Sequence, residues 1–120
     1  RLVIELAELV AFCPFASRFP YETWVLPKSH ASHFETISPA ITAQLGLLMH
    51  KLLARFEALA DPAAYNLTIH SAPFDTFDLG HYHWHMEITP RLTEVAGFEL
   101  GAGFYINPHS PEKAAAWLAQ

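Results

Sequence analysis

From Ile41 to Leu59 apolar side chains recur at steps of three and four residues: Ile41, Leu45, Leu48, Leu52, Phe56 and Leu59, widened by Met49 and Leu53. That spacing lays them along one stripe of a helix, while Thr42, Gln44, Lys51, Arg55 and Glu57 fall mostly elsewhere. Ser38 and Pro39 mark the start. The serine hydroxyl can accept an orphan N–H, and a proline at the first helical position has no N–H to leave unpaired. Asp61-Pro62 supplies the stop. A long helix that is apolar on one side predicts a sheet for that side to cover.

The flanking sequence supplies the strands. Val3 to Phe12 is apolar but broken by Glu5 and Glu8, which predicts a strand, a tight turn and a second strand. CPFASRFPYE, with Arg18 and two prolines among aromatic residues, predicts an ordered loop, because it carries too much apolar surface to be left in water. Thr23 to Leu26 predicts a short strand stopped by Pro27. Tyr65 to His70 alternates as a half-buried strand does, and HSAPFDTFDLG is a loop. HYHWHMEIT predicts the next strand, with His81, His83, His85 and Glu87 on one face and Tyr82, Trp84, Met86 and Ile88 in the core. FELGAGFYI predicts a further strand, with Gly97, Gly101 and Gly103 marking bends or close approach of backbone or ligand. Ser110-Pro111-Glu112 opens a short terminal helix over Ala114 to Ala119. The order of elements predicts an α+β fold with an antiparallel sheet.

Composition narrows the function. The chain has 120 residues, one domain's worth, and 52% hydrophobic residues give it a core to bury. Seven Lys and Arg against twelve Asp and Glu leave a net charge of −5 without a basic cluster, which argues against nucleic acid as a partner. No apolar run reaches the length of a membrane span, and RLVIELAELV carries glutamates where a signal peptide needs an apolar centre. Cys13 is the only cysteine, so no intramolecular disulfide or zinc finger is available. Flanked by proline and aromatic residues, it reads as a packed thiol. A cytoplasmic protein is the expectation. The chain begins at Arg1, which suggests part of a longer protein.

The histidine-rich strand carries the chemistry. Residues two apart on a strand share a face, so His85 and Glu87, joined by His70 from a neighbouring strand, can bind a divalent metal such as Zn²⁺ or Fe²⁺. Alternatively His81, His83 and His85 form a triad in which one imidazole attacks phosphorus and carries a nucleotidyl group. A third reading makes these histidines ordinary hydrogen-bonded residues at a sheet or subunit contact. His30 and His33 lie near Lys28 and could meet a phosphate or simply open the helix. His50 lies inside the long helix and is most simply a side-chain contact. His109 and Asn107 precede a helix N-terminus, where an anion is favoured. The glycines lack phosphate-loop spacing, and nothing fixes a glycosidase pair among Glu22, Glu87 and Glu99.

At CPFASRFPYETWVLPKSHASHFE, HSAPF, HYHWHMEITPR and AGFELGAGFYINPHSPEKAA the chain resembles the carboxy-terminal domain of the galactose-1-phosphate uridylyltransferases, members of the histidine-triad superfamily. The resemblance implies a histidine-triad-like antiparallel sheet with one long helix and a short C-terminal helix. It also implies that residues 1–120 are the C-terminal half of a two-domain nucleotidyltransferase. Such enzymes exchange a uridylyl group between a UDP-hexose and a hexose 1-phosphate through a uridylylated histidine in a His-Pro-His segment of the N-terminal half. This sequence has no His-Pro-His, so no catalytic residue is assigned here. By the same resemblance His70 and His85 are metal ligands, Glu87 stands where several members have another histidine, and the strand and loop holding Phe98, Asn107 and His109 touch substrate. The implied partners are a nucleotide sugar, a sugar phosphate, the N-terminal catalytic domain and a second copy in a homodimer. The AGFELG and YINP pieces are similar to ADP-glucose phosphorylases, which move an adenylyl group to phosphate. A free-standing histidine-triad hydrolase and a non-catalytic dimerisation module are the other readings.

Overall fold

The computed structural model describes residues 1–60 and 64–120. Five strands form one sheet: β1 (Leu2–Glu5), β2 (Leu9–Phe12), β3 (Thr23–Pro27), β4 (Tyr65–His70) and β5 (His85–Pro90). Their spatial order is β1-β2-β3-β5-β4, and every neighbouring pair is antiparallel. The helices are α1 (Pro39–Leu59), α2 (Gly97–Ala102) and α3 (Pro111–Leu118). This is the α+β, histidine-triad-like architecture that the patterning and the resemblance imply.

The α1 stripe is the organising surface. Leu45, Leu48, Leu52 and Phe56 are buried, and Ile41, Met49, Leu53 and Leu59 pack partly against the same core. Ser38 Oγ accepts the Ile41 N–H at 3.2 Å, as a cap should, and Pro39 follows in the first turn. The helix ends at Leu59; the Asp61-Pro62 stop lies outside the described residues. Facing α1 are Leu9 and Ala11 of β2, Thr23 and Val25 of β3, and Met86 and Ile88 of β5, all buried. Alternation sends their neighbours Trp24, His85, Glu87 and Thr89 to the other face. Ser110 Oγ caps α3 through the Lys113 N–H, and Ala114, Ala115 and Leu118 close the core beside β1. Cys13 is buried in this core, and burial pushes its thiol up to about 11, so it stays a neutral packed group near pH 7.

Two expected strands are corrected. The β5 ladder starts at His85 rather than His81: Tyr82 N–H bonds Leu79 C=O in a turn, and Trp84 N–H bonds Ala31 C=O instead of a sheet neighbour. FELGAGFYI is not a strand. Gly97–Ala102 is helical, and Gly103 ends it in the left-handed conformation at φ 71°, which glycine adopts without a Cβ clash. The determinant is Glu99, whose carboxylate accepts the Ala96 N–H at 3.0 Å and the Ile106 N–H at 3.2 Å, closing the turn on both sides. A Cβ on any of these three glycines would meet nothing within 4 Å, so close backbone approach is not their role. No helix among the described residues is long and apolar enough to cross a membrane.

Leu52 is fully buried on α1, whereas Leu47 is 48% exposed on the same helix. Leu52→Ala should lower the unfolding free energy by about 2–5 kcal/mol. Leu47→Ala should change it by no more than about 0.5 kcal/mol. Urea denaturation followed by circular dichroism checks both.

Candidate metal centre

The antiparallel register of β4 and β5 places His70 opposite His85, Thr68 opposite Glu87 and Asn66 opposite Thr89. All six side chains share the sheet face turned away from α1. Here the structure brings His70, His85 and Glu87 together, each offering one donor atom within 4.8 Å of the others. Glu87 Oε1 lies 3.7 Å from His70 Nε2 and 3.9 Å from His85 Nε2. Both distances are too long for hydrogen bonds. They are close to the roughly 3.4 Å that separates donors around a tetrahedral ion with bonds near 2.1 Å.

The imidazoles are oriented by their surroundings. His85 is stacked on His70 at 4.7 Å and on Trp24, from β3, at 4.8 Å. Its Nδ1 lies 3.1 Å from the His83 carbonyl, which fixes the proton there and leaves the Nε2 lone pair aimed at the cluster. His70 Nε2 is buried and has no hydrogen-bond partner. A polar atom taken from water without a replacement costs about 1–3 kcal/mol, and a cation among these donors would remove that cost. The donor set of two nitrogens and one carboxylate oxygen suits Zn²⁺ or Fe²⁺, so the cluster is compatible with a divalent metal.

The carboxylate is held from a residue that sequence spacing did not connect to it. Arg18 Nη2 donates to Glu87 Oε2 and lies 3.6 Å from Glu22 Oε1, so one guanidinium nitrogen sits between two carboxylates. Burial pulls the Arg18 pKa down, but Glu22 and Glu87 outweigh it and leave it raised. Two carboxylates and one guanidinium give this corner a net charge near −1, which favours a cation. Beside the cluster a cleft of about 600 Å³ is lined by Arg18, Asn66, Thr68, Glu87, Thr89 and Arg91, among others. Arg18, Glu22 and Trp24 were legible only as an arginine, a glutamate and a tryptophan in or beside a proline-bounded loop. Nothing in their spacing announces a partner in β5.

The other candidate residues are used differently. His81 is exposed and lies before β5. His83 Nε2 lies 2.7 Å from the Pro27 carbonyl and its ring packs edge-on to His30, so its outward nitrogen is engaged. Asn107 Nδ2 donates to the carbonyls of Ser17 and Phe19, and its Oδ1 accepts the His109 N–H. The His109 ring packs on Tyr21. Phe98 is 64% exposed on α2. His33 bonds Ser32 and the Pro73 carbonyl and ties the 71–79 loop down, while His50 is exposed on α1.

The sequence and the fold have counterparts in known proteins. The family model described as galactose-1-phosphate uridyl transferase, C-terminal domain, matches residues 1–117. An ADP-glucose phosphorylase of Arabidopsis thaliana is 36% identical over 116 residues, covering 95% of this chain and 33% of the relative. A galactose-1-phosphate uridylyltransferase of Thermotoga maritima is 32% identical over 128 aligned positions, covering 100% and 40%. The crystal structure of an Arabidopsis thaliana ADP-glucose phosphorylase with bound ADP-glucose superimposes with a TM-score of 0.92 at 35% identity, over 99% of this chain and 39% of that one. A zinc-bound histidine triad family protein from Mycobacterium smegmatis shares the fold at a TM-score of 0.63 and 17% identity, covering 98% of this chain and 80% of that one. The chain thus spans 28% to 40% of the length of the curated relatives it matches.

Because His83 anchors to Pro27, His83→Ala should cost about 1–2 kcal/mol of stability. The imidazole resonances of His70 and His85 should keep their chemical shifts. Urea unfolding and histidine-detected NMR of the variant test the two halves of this statement separately.

Proposed function

This chain belongs to the galactose-1-phosphate uridyl transferase C-terminal domain family, and from that premise we propose that it is the metal-bearing, substrate-contacting C-terminal part of a nucleotidyltransferase acting on a nucleotide sugar. The observation that carries the metal assignment is the orphaned, buried His70 Nε2 facing Glu87 and His85. His70, His85 and Glu87 would hold Zn²⁺ or Fe²⁺. When bound, the ion would supply a fixed positive charge that locks β4 to β5 on the open sheet face.

Within this reading the reaction is transfer of a uridylyl group from UDP-glucose to a hexose 1-phosphate, and the nucleophilic histidine lies in an N-terminal domain. The lack of any His-Pro-His in these 120 residues supports that division. So does the surface. Tyr65, Leu67 and Ile69 on edge strand β4 are each about 40% exposed, and Phe98, Leu100, Phe104, Tyr105 and Ile106 are exposed around α2. Apolar surface of this extent is what a further domain or a second copy in a dimer would cover. Phe98, Asn107 and His109 would contribute to the substrate side of that junction, Asn107 by fixing the 17–19 loop. A second reading, adenylyl transfer from ADP-glucose to phosphate, is favoured by the similarity to the Arabidopsis thaliana phosphorylase. Both donors present a diphosphate whose developing charge needs hydrogen-bond donors or cations nearby.

The purified chain, prepared without chelator, should carry about one Zn or Fe, and His70→Ala/His85→Ala should lose it while remaining folded by circular dichroism. Chelator competition should show the affinity falling by at least about 100-fold. A metal-free wild type that is folded to the same extent would overturn the metal assignment. The chain alone should be inactive on UDP-glucose with galactose 1-phosphate and on ADP-glucose with phosphate. Cleavage of an adenosine phosphoramidate by the chain alone, lost in His83→Ala, would instead establish the histidine-triad hydrolase.

A further inference from the structure

Glu22 is 1% exposed, a carboxylate in the interior that touches none of the candidate metal donors. Burying such a group is costly unless its oxygens are fully bonded. Both are. Oε2 accepts the backbone N–H of Arg18 at 2.7 Å and that of Phe19 at 3.3 Å, so the loop is wound around it. Oε1 accepts the Trp24 indole N–H at 2.9 Å and lies 3.6 Å from Arg18 Nη2. The winding is tight: Tyr21, just before Glu22, has φ 59°, a left-handed value that costs a non-glycine residue about 1–2 kcal/mol. The bonds to Glu22 and the packing of Tyr21 against Trp117 offset that strain.

The two side chains that Glu22 holds are the two that press on the cluster from the β3 side. Arg18 donates to Glu87 Oε2, leaving Oε1 turned to the imidazoles. Trp24, with its indole N–H pinned, lies flat on His85 at 4.8 Å and 17°. We propose that Glu22 is a positioning residue for the His70–His85–Glu87 centre, acting along two arms, through Arg18 on the carboxylate and through Trp24 on the imidazole. This rests on the metal reading above. The arrangement commits Glu87 to offer one oxygen to the ion, because Arg18 occupies the other. It also sets the plane of His85 through a face contact, in addition to the carbonyl that sets its tautomer.

A purely architectural Glu22 would hold the 17–22 loop without affecting the metal. The two roles separate in the substitution Glu22→Gln. The amide keeps the shape, but both oxygens of Glu22 accept hydrogen bonds, so one donor must lose its partner to an NH₂ group, and the ion pair to Arg18 is gone.

Co²⁺ is the probe, added alone to the full metal-free chain. Its visible absorption reports ligand geometry, and competition with a chelator reports affinity. The wild type should bind one Co²⁺. Glu22→Gln should bind it about 10–100-fold more weakly with a shifted visible band, in a chain folded by circular dichroism. Arg18→Gln and Trp24→Phe, each cutting one arm, should show smaller changes of the same kind. If Glu22→Gln does not fold, the single-arm variants decide: a shifted band and weaker binding in both supports the proposal, and wild-type spectra in both overturn it. Equal affinity and an identical band in wild type and folded Glu22→Gln overturn the proposal while leaving the metal reading intact. A wild type that takes up no Co²⁺ removes the metal reading and this inference with it.

Discussion

One-sided cover of the sheet by α1 is the constraint on which the rest depends. Phe56, Leu48 and Leu52 are fully buried against Leu9, Val25 and Ile88, and burial of each such side chain contributes about 1.5–3 kcal/mol. A strand has a side-chain period of two, so committing Met86 and Ile88 of β5 to that core commits His85 and Glu87 to the opposite face. A register slip of one residue would bury the imidazole and the carboxylate and expose the core. The face that carries the His70–His85–Glu87 cluster is therefore held in place by hydrophobic packing on its far side.

On the open face the ordering force is electrostatic and local. Glu22, Arg18 and Glu87 alternate in charge, and the alternation makes the burial of the two carboxylates tolerable: Glu22 is bonded on both oxygens, and the partly exposed Arg18 is shared between the two. Stacking continues the order sideways, from Trp24 to His85 to His70 across three neighbouring strands. The result is a set of donors held near one another before any ion arrives, which lowers the ordering cost of binding. His70 is the member left without a partner, on the strand at the edge of the sheet.

Much of this was written in local sequence. The α1 stripe, its Ser38-Pro39 start, the Ser110-Pro111 start of α3, and the inward set Trp84, Met86 and Ile88 depend on periodicity and capping, which neighbouring residues suffice to specify. The same locality explains the failures. Alternation in HYHWHMEIT continues to His81, but a strand needs a partner to pair with; Trp84 N–H finds Ala31 instead, and the ladder stops at His85. FELGAGFYI has β-favouring residues, yet among the described residues no strand pairs with it, and Glu99 closes a helical turn on its own neighbours.

The sequence by itself determined that one face of a central strand would carry His85 and Glu87, because a period of two needs no information from elsewhere in the chain. It also determined, through α1, that the opposite face would be core. Only the tertiary structure decided that His70 stands across from His85 and that Arg18 reaches Glu87 from 69 positions away. Those contacts depend on strand order and register. Both are fixed by the packing of the whole core, which no local stretch of sequence encodes.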